Sequence, residues 1–339
     1  MIYAIYRGGA SIRASAAKVV GGRCNGEGDG CNSTGWHGFP TGAQWRKRMA
    51  DQAEQLRQLM KSRSSQKPGN NGKKTRIIAI SSGKGGVGKT NLSINIALAY
   101  AQLGKRVIVM DADLGLANVN VILGIIPKYN LYHLIRKQKN MKDIILDTDY
   151  GIQIVAGASG FSKIANLSDE ERENFIEELS DLSSADVIII DTSAGVSNNV
   201  LDFIAAADDA IIITTPEPTA ITDAYGIIKI IATEVDYLNL GLKLIVNRVK
   251  SVTQGKKVAE RVINIAGQFL NLKIDYLGYV YEDLAVSQAV LRQKPFLIVE
   301  PKGKASICVQ HIVSRLEKVE YREGGGLGKF IKKLVGRIG

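Results

Sequence analysis

Eight residues, Gly83 to Thr90, read GKGGVGKT, and the spacing G-x-x-x-x-G-K-T is that of a loop that binds phosphate. Glycines at 83, 85, 86 and 88 keep side chains out of the way, so that backbone N–H groups turn inward toward phosphate oxygens. Lys89 stands where a lysine reaches the β and γ phosphates, and Thr90 offers a hydroxyl to a magnesium ion. The helical pattern NLSINIALAYAQLG follows, and its N-terminus adds partial positive charge. The run Gly83, Lys84, Gly85, Gly86, Val87, Gly88, Lys89, Thr90 and Asn91 is therefore the expected nucleotide cradle. Lys84 is a second cation with no evident work inside its own loop.

Carboxylates stand at the ends of two other apolar runs. VIVMDADLGLANVN places Asp111 and Asp113 at the end of one, on alternate sides, so that one can face a metal's water shell while the other points toward the γ-phosphate. VIIIDTSAG closes another with Asp191, which would orient magnesium through water. IVNRV puts Asn247 at a later strand end, where a side-chain amide could read a purine edge or simply serve a turn.

These residues need a frame. RIIAIS, RVIVMD, IQIVAG, DVIIID, DAIIITT, LKLIVNR and YLGYVY are continuous apolar runs that alternate with helical patterns. Strands buried on both faces read in this way, with helices as covers. The expectation is α/β: a single P-loop NTPase domain over 76–323, with a mostly parallel twisted sheet covered by helices on both faces and a helical tail at each end. Its ligand belongs at the carboxyl ends of the strands.

The flanks differ from this core. Residues 1–48 hold ten glycines and both tryptophans with no sustained period, and are expected to be a disordered or non-native leader ahead of a start at Met49. In 49–61, Asp51 and Glu54 are spaced as a capping box opening a short helix, with Ala53, Leu56 and Met60 as its apolar stripe. Residues 62–75 have a linker's composition. After a GGG hinge in 324–339, Leu327, Phe330, Ile331, Leu334, Val335 and Ile338 fall on one helical face, with Lys332 and Lys333 among the basic residues beside it. That is an interfacial pattern suited to an anionic membrane surface, worth roughly 1 kcal/mol per basic residue there. With Gly328 and Gly336 each costing about 1 kcal/mol of helix stability, the tethered segment should be largely unfolded in water.

The net charge of +11 resides in these tails. Residues 1–75 carry 13 basic against 4 acidic side chains and residues 324–339 carry 4 against none, leaving the body at −2. A nucleic-acid groove in the core is not expected. No apolar run approaches the roughly 18 to 20 residues of a membrane-spanning helix. Three scattered cysteines point to a reducing cytoplasm.

KGGVGKT with its early lysine, DADLGLANVN, DTSAG and VNR, in this order, resemble the deviant-Walker ATPases of the MinD/ParA class over about residues 76 to 310. The resemblance implies ATP with Mg2+ as ligands, slow hydrolysis, and an ATP-dependent homodimer in which Lys84 touches the partner's nucleotide. It implies catalytic work for Lys84, Lys89 and Asp113, the last orienting the attacking water. Thr90 with Asp111 or Asp191 would serve magnesium, and Asn247 with Arg248 would flank adenine. YEDLAV would bring Glu282 and Asp283 to the base, although Tyr281 stands where the class usually has proline.

The membrane-type tail favours the MinD branch, and DQAEQLR resembles an element of its flagellar FlhG (FleN, YlxH) regulators. That resemblance implies control of flagellar number and placement. Asp51, Gln52, Ala53, Leu56 and Arg57 would stimulate the GTPase FlhF, and the body would meet flagellar C-ring components. It implies a cytoplasmic protein that attaches reversibly, with ATP, to the inner face of the cell membrane. MinD-type division-site selection is the alternative. ParA-type DNA segregation fits less well, and a redox relative of the nitrogenase iron protein would need two cluster cysteines where the core has only Cys308.

Overall fold

Each apolar run becomes a strand because its alternate residues feed two different cores. The computed structural model describes residues 75–113, 118–157, 177–235 and 240–318, together with Leu327, Phe330, Ile331 and Leu334. All of these fall in the unit Asn70–Gly339. The expectations for residues 1–61, and for 62–74 of the linker, lie outside the described residues.

The order is β1 (Arg76–Ser82), α1 (Lys89–Gln102), β2 (Val107–Ala112), α2 (Val119–Ile122), α3 (Leu131–Ile135), α4 (Met141–Ile144), β3 (Ile145–Asp147) and β4 (Gln153–Val155). A 3-10 turn at Ser180–Ser184 precedes β5 (Val187–Ala194), α5 (Asn198–Ala206), β6 (Asp209–Thr214), α6 (Pro218–Glu234) and β7 (Gly241–Val249). The chain then forms α7 (Val252–Leu270), β8 (Asp275–Tyr281), α8 (Leu284–Leu291), α9 (Phe296–Val299) and α10 (Lys304–Lys318).

The eight strands make one sheet in the order β3-β4-β2-β5-β1-β6-β7-β8, parallel throughout except for β3 against β4. Ile78 and Ile80 of β1 face the cluster containing Leu92, Ile96, Val309 and Ile312 of α1 and α10, while Ile77 and Ala79 face the one containing Phe203, Ile227 and Val262 of α5, α6 and α7. Helices thus cover both faces, as buried parallel strands require. The seven expected strands are present. The three-residue β3 was not legible, being too short for a period to register and formed by a hairpin in which Thr148 N donates to Ile152 O at 3.1 Å.

Between β5 and β6, β1 is central, so the loop after it opens where the chain runs to either side, the crevice in which such sheets bind ligands. The amino ends of the strands are joined by buried charges. Arg76 Nε of β1 donates to Asp209 Oδ2 of β6 at 2.7 Å, and Lys243 Nζ of β7 lies 3.0 Å from Asp209 Oδ1. Arg76 also donates to Leu316 O of α10 at 2.9 Å, tying that helix to the edge of the sheet away from the phosphate loop.

The C-terminal segment departs from expectation. Leu327, Phe330, Ile331 and Leu334 are helical, buried, and part of the same hydrophobic cluster as α5, α6 and α7. The reading of an unpartnered, largely unfolded tail does not hold for these four. A short amphipathic helix needs an apolar partner, and in a single chain in water the nearest such surface is its own core. Lys332, Lys333, Val335 and Ile338 lie outside the described residues. We predict that Phe330→Ala lowers the unfolding free energy by about 3 kcal/mol, read by urea denaturation. A change within about 0.5 kcal/mol, as for a free surface residue, would contradict this packing.

Candidate functional site

The phosphate loop spans the gap between β1 and α1. Gly86 and Gly88 have φ of 77° and 92°, a region that only glycine enters without strain. A Cβ on Gly83 would lie 2.1 Å from Asp223 O, so the loop's first residue is pressed against α6. A Cβ on Gly85 or Gly86 would meet nothing within 4 Å, which leaves that side of the loop open to a ligand. Thr90 and Asn91, half-buried, sit in the first turn of α1.

Lys89 and Asp191 form the buried centre. Lys89 Nζ lies 3.2 Å from Asp191 Oδ1, and Ser93 Oγ, one turn further along α1, lies 2.9 Å from the same oxygen. Asp191 Oδ2 is buried without a hydrogen-bond partner. An orphaned carboxylate oxygen beside a phosphate loop fits a magnesium ion's water shell. Magnesium takes one or two carboxylates and completes its shell with phosphates and water. Thr90 and Asp191 are the residues that would hold it.

Asp111, cross-strand neighbour of Asp191, does other work. Its Oδ1 accepts from Asp113 N at 3.0 Å, and its Oδ2 accepts from Asn118 N at 2.9 Å and Val119 N at 3.1 Å. Both oxygens therefore accept backbone N–H groups, one just past β2 and two at the start of α2. Asp113 stands just beyond β2, half-buried, with Asn118 Nδ2 3.4 Å from its Oδ2.

Of the four residues expected at adenine, Asn247 and Asp283 have their side-chain groups engaged within the chain. Asn247 is buried, its Nδ2 donating to Val87 O at 2.8 Å and its Oδ1 accepting from Arg248 N at 2.9 Å, so it backs the phosphate loop. Arg248 is exposed, with φ of 55°. Asp283 caps α8 by accepting from Ala285 N at 3.0 Å, and its other oxygen accepts from Ala305 N at 3.3 Å. Both oxygens of this helix cap are thus engaged within the chain. Glu282 is exposed, its backbone N–H donating to Val249 O at 3.0 Å.

Lys84 turns away from its own loop. Its Nζ lies 2.9 Å from Glu217 Oε2 and 2.9 Å from Thr219 Oγ1, at the start of α6. The hydrogen bond from Lys84 and its charge hold the Glu217 carboxyl below the usual glutamate range. Sequence reasoning missed Glu217, Thr219 and Ser93. The one signal for the first two was PEPT after a strand, with Pro218 suited to open a helix.

Burial pushes the Asp111 carboxyl up to about 6, opposed by the N–H of Asp113 and assisted by the charge of Asp191. Because the folded value lies above the unfolded one, the ionised form costs stability, and that cost grows as pH rises from about 4 through about 6. We predict that nucleotide-free protein loses about 2 kcal/mol across this window relative to Asp111→Asn, measured by urea unfolding at pH 4 and 6.5. Parallel pH dependence in the two proteins would refute it.

Residues 78–296 match the model of the CobQ/CobB/MinD/ParA nucleotide binding domain family. The chain is 35% identical over 263 residues to the antiactivator FleN of Pseudomonas aeruginosa, covering 77% of this chain and 93% of FleN. It is 35% identical over 298 residues to the flagellum site-determining protein YlxH of Helicobacter pylori, covering 86% of this chain and all of YlxH. Among solved structures, the MinC:MinD cell division protein complex of Aquifex aeolicus superposes with a TM-score of 0.59 at 27% identity, over 74% of this chain and 99% of that one. A phosphate loop, a buried lysine–carboxylate centre and these likenesses lead to one conclusion: the chain is an ATPase of the MinD/ParA family, in the branch that holds FleN and YlxH.

Proposed function

We propose that this ATPase is a dimerising, membrane-associating switch that regulates flagellar number and placement. The observation that carries the reading is Lys84. In the single chain its ammonium reaches Glu217 and Thr219 and leaves its own loop to Lys89. A cation placed at the mouth of the site, yet unused by it, suits contact with a nucleotide held by a second copy. Asp113, half-buried past β2, suits the positioning of an attacking water, and Lys89 suits charge stabilisation on the transferred phosphoryl group. Bound magnesium supplies neutralisation of the β and γ oxygens.

The tail gives this dimer its output. The apolar face of Leu327, Phe330, Ile331 and Leu334 is buried in the single chain, so attachment to a bilayer requires its release, with Val335, Ile338, Lys332 and Lys333 contributing from the rest of the segment. Two released helices on one dimer bind with avidity. The match to YlxH, which takes in 86% of this chain and all of YlxH, together with the match to FleN, supports flagellar control over division-site selection. FlhF, met through Asp51, Gln52, Ala53, Leu56 and Arg57, and C-ring components are the partners this reading entails.

Asp113→Ala should cut ATP turnover about 100-fold while remaining a dimer that floats with anionic vesicles when saturated with Mg-ATP. Lys84→Ala should stay monomeric and sediment without lipid. An Asp113→Ala protein that is monomeric under those conditions, by light scattering, would sink the proposal. For the partner, a peptide of residues 49–62 should raise FlhF's GTPase rate, and the same peptide with Arg57→Ala should not. Equal rates with both peptides would remove Arg57 from the mechanism.

A further inference from the structure

Val87 and Gly88 share a peptide bond on which the phosphate loop depends. A trans peptide points its C=O and N–H in opposite directions, so whatever holds the carbonyl of Val87 aims the N–H of Gly88 the other way. The holder is Asn247, 160 residues away in sequence, whose Nδ2 donates to Val87 O at 2.8 Å. Gly88 needs such a restraint. Its φ of 92° and missing Cβ leave the 87–88 peptide freer to flip than any other residue would. The same missing Cβ makes room for the holder, since a Cβ there would lie 2.4 Å from Asn247 Nδ2. Asn247 is itself fixed, buried at the end of β7, with Oδ1 accepting from Arg248 N at 2.9 Å where the backbone turns left-handed.

We infer that Asn247 is a positioning residue for the phosphate loop, which pins the Val87 carbonyl so that the Gly88 N–H faces the phosphates, whatever base the nucleotide carries. The inference rests on the nucleotide site and deepens it. A residue that only read adenine would be felt through the base. One that pins the loop is felt equally by a ligand with no base at all.

The discriminating experiment compares three ligands, each with magnesium: ATP, ITP and inorganic tripolyphosphate. Affinities are taken by competition against a fluorescent ATP analogue, on wild type and on Asn247→Asp. The aspartate keeps the acceptor for Arg248 N but sets an oxygen against the Val87 carbonyl. All three ligands should weaken together, by about tenfold, with the ATP-to-ITP and ATP-to-tripolyphosphate ratios unchanged. Asn247→Ser, small and uncharged, gives the same comparison should the buried carboxylate unfold the domain, and thermal melting identifies which variant is folded. Unchanged tripolyphosphate affinity in a folded variant overturns the inference, whether ATP binding falls, making Asn247 a reader of the base, or stays the same. A wild type that binds none of the three would instead refute the nucleotide site itself.

Discussion

Two carboxylates on paired strands are both fully buried, yet the one ammonium group at this centre, Lys89, lies against Asp191 alone, and the rest of the site is arranged around that imbalance. Burying an ion without a partner costs several kcal/mol. Asp191 is matched by Lys89 and Ser93 on the helix that follows the phosphate loop, and Asp111 by three backbone N–H groups of the loop after β2. Those contacts hold α1 against β5 and tie the end of β2 to the start of α2. They also leave Asp191 with one unsatisfied oxygen, and leave Lys89 poised between its carboxylate and the loop's open side. The site thus demands an anion and a cation together, which a magnesium–triphosphate pair satisfies.

The sheet makes this arrangement possible. Parallel strands put their carboxyl ends on one edge, and with β1 between β5 and β6 that edge collects the phosphate loop, Asp111, Asp191 and Asn247 from segments far apart in the chain. The opposite edge is tied by Arg76, Asp209 and Lys243. Removing one member of such a buried group leaves an uncompensated charge, so the amino edge resists rearrangement while the loops at the carboxyl edge carry the ligand.

Two features of the single chain look inward although the proposed switch needs them outward. Lys84 is engaged by Glu217 and Thr219, and the C-terminal apolar face is engaged by the core. A ligand shifts such an equilibrium only by its differential affinity for the two states. A nucleotide shared between copies would offer Lys84 a polyanion in place of one exposed carboxylate, and a bilayer would offer the tail apolar depth together with anionic headgroups. These exchanges trade contacts of similar kind, which suits reversible attachment.

By itself the sequence determined the α/β frame, the phosphate loop and the positions of its carboxylates, because each rests on short-range rules. Apolar runs of strand length, glycines where a backbone must turn inward, and a carboxylate closing a buried strand are all legible within a dozen residues. What a side chain touches at the end of its strand is not. Asn247 and Asp283 carry amide and carboxylate groups suited to a base, yet packing sets one against Val87 and the other against Ala285 and Ala305. Ser93, Glu217 and Thr219 drew no notice because their partners lie about a hundred residues away. The tail's helical spacing was plain, but periodicity names an apolar face without naming what covers it. Only the tertiary structure decided that, since burial is a property of two surfaces and the sequence displays them one at a time.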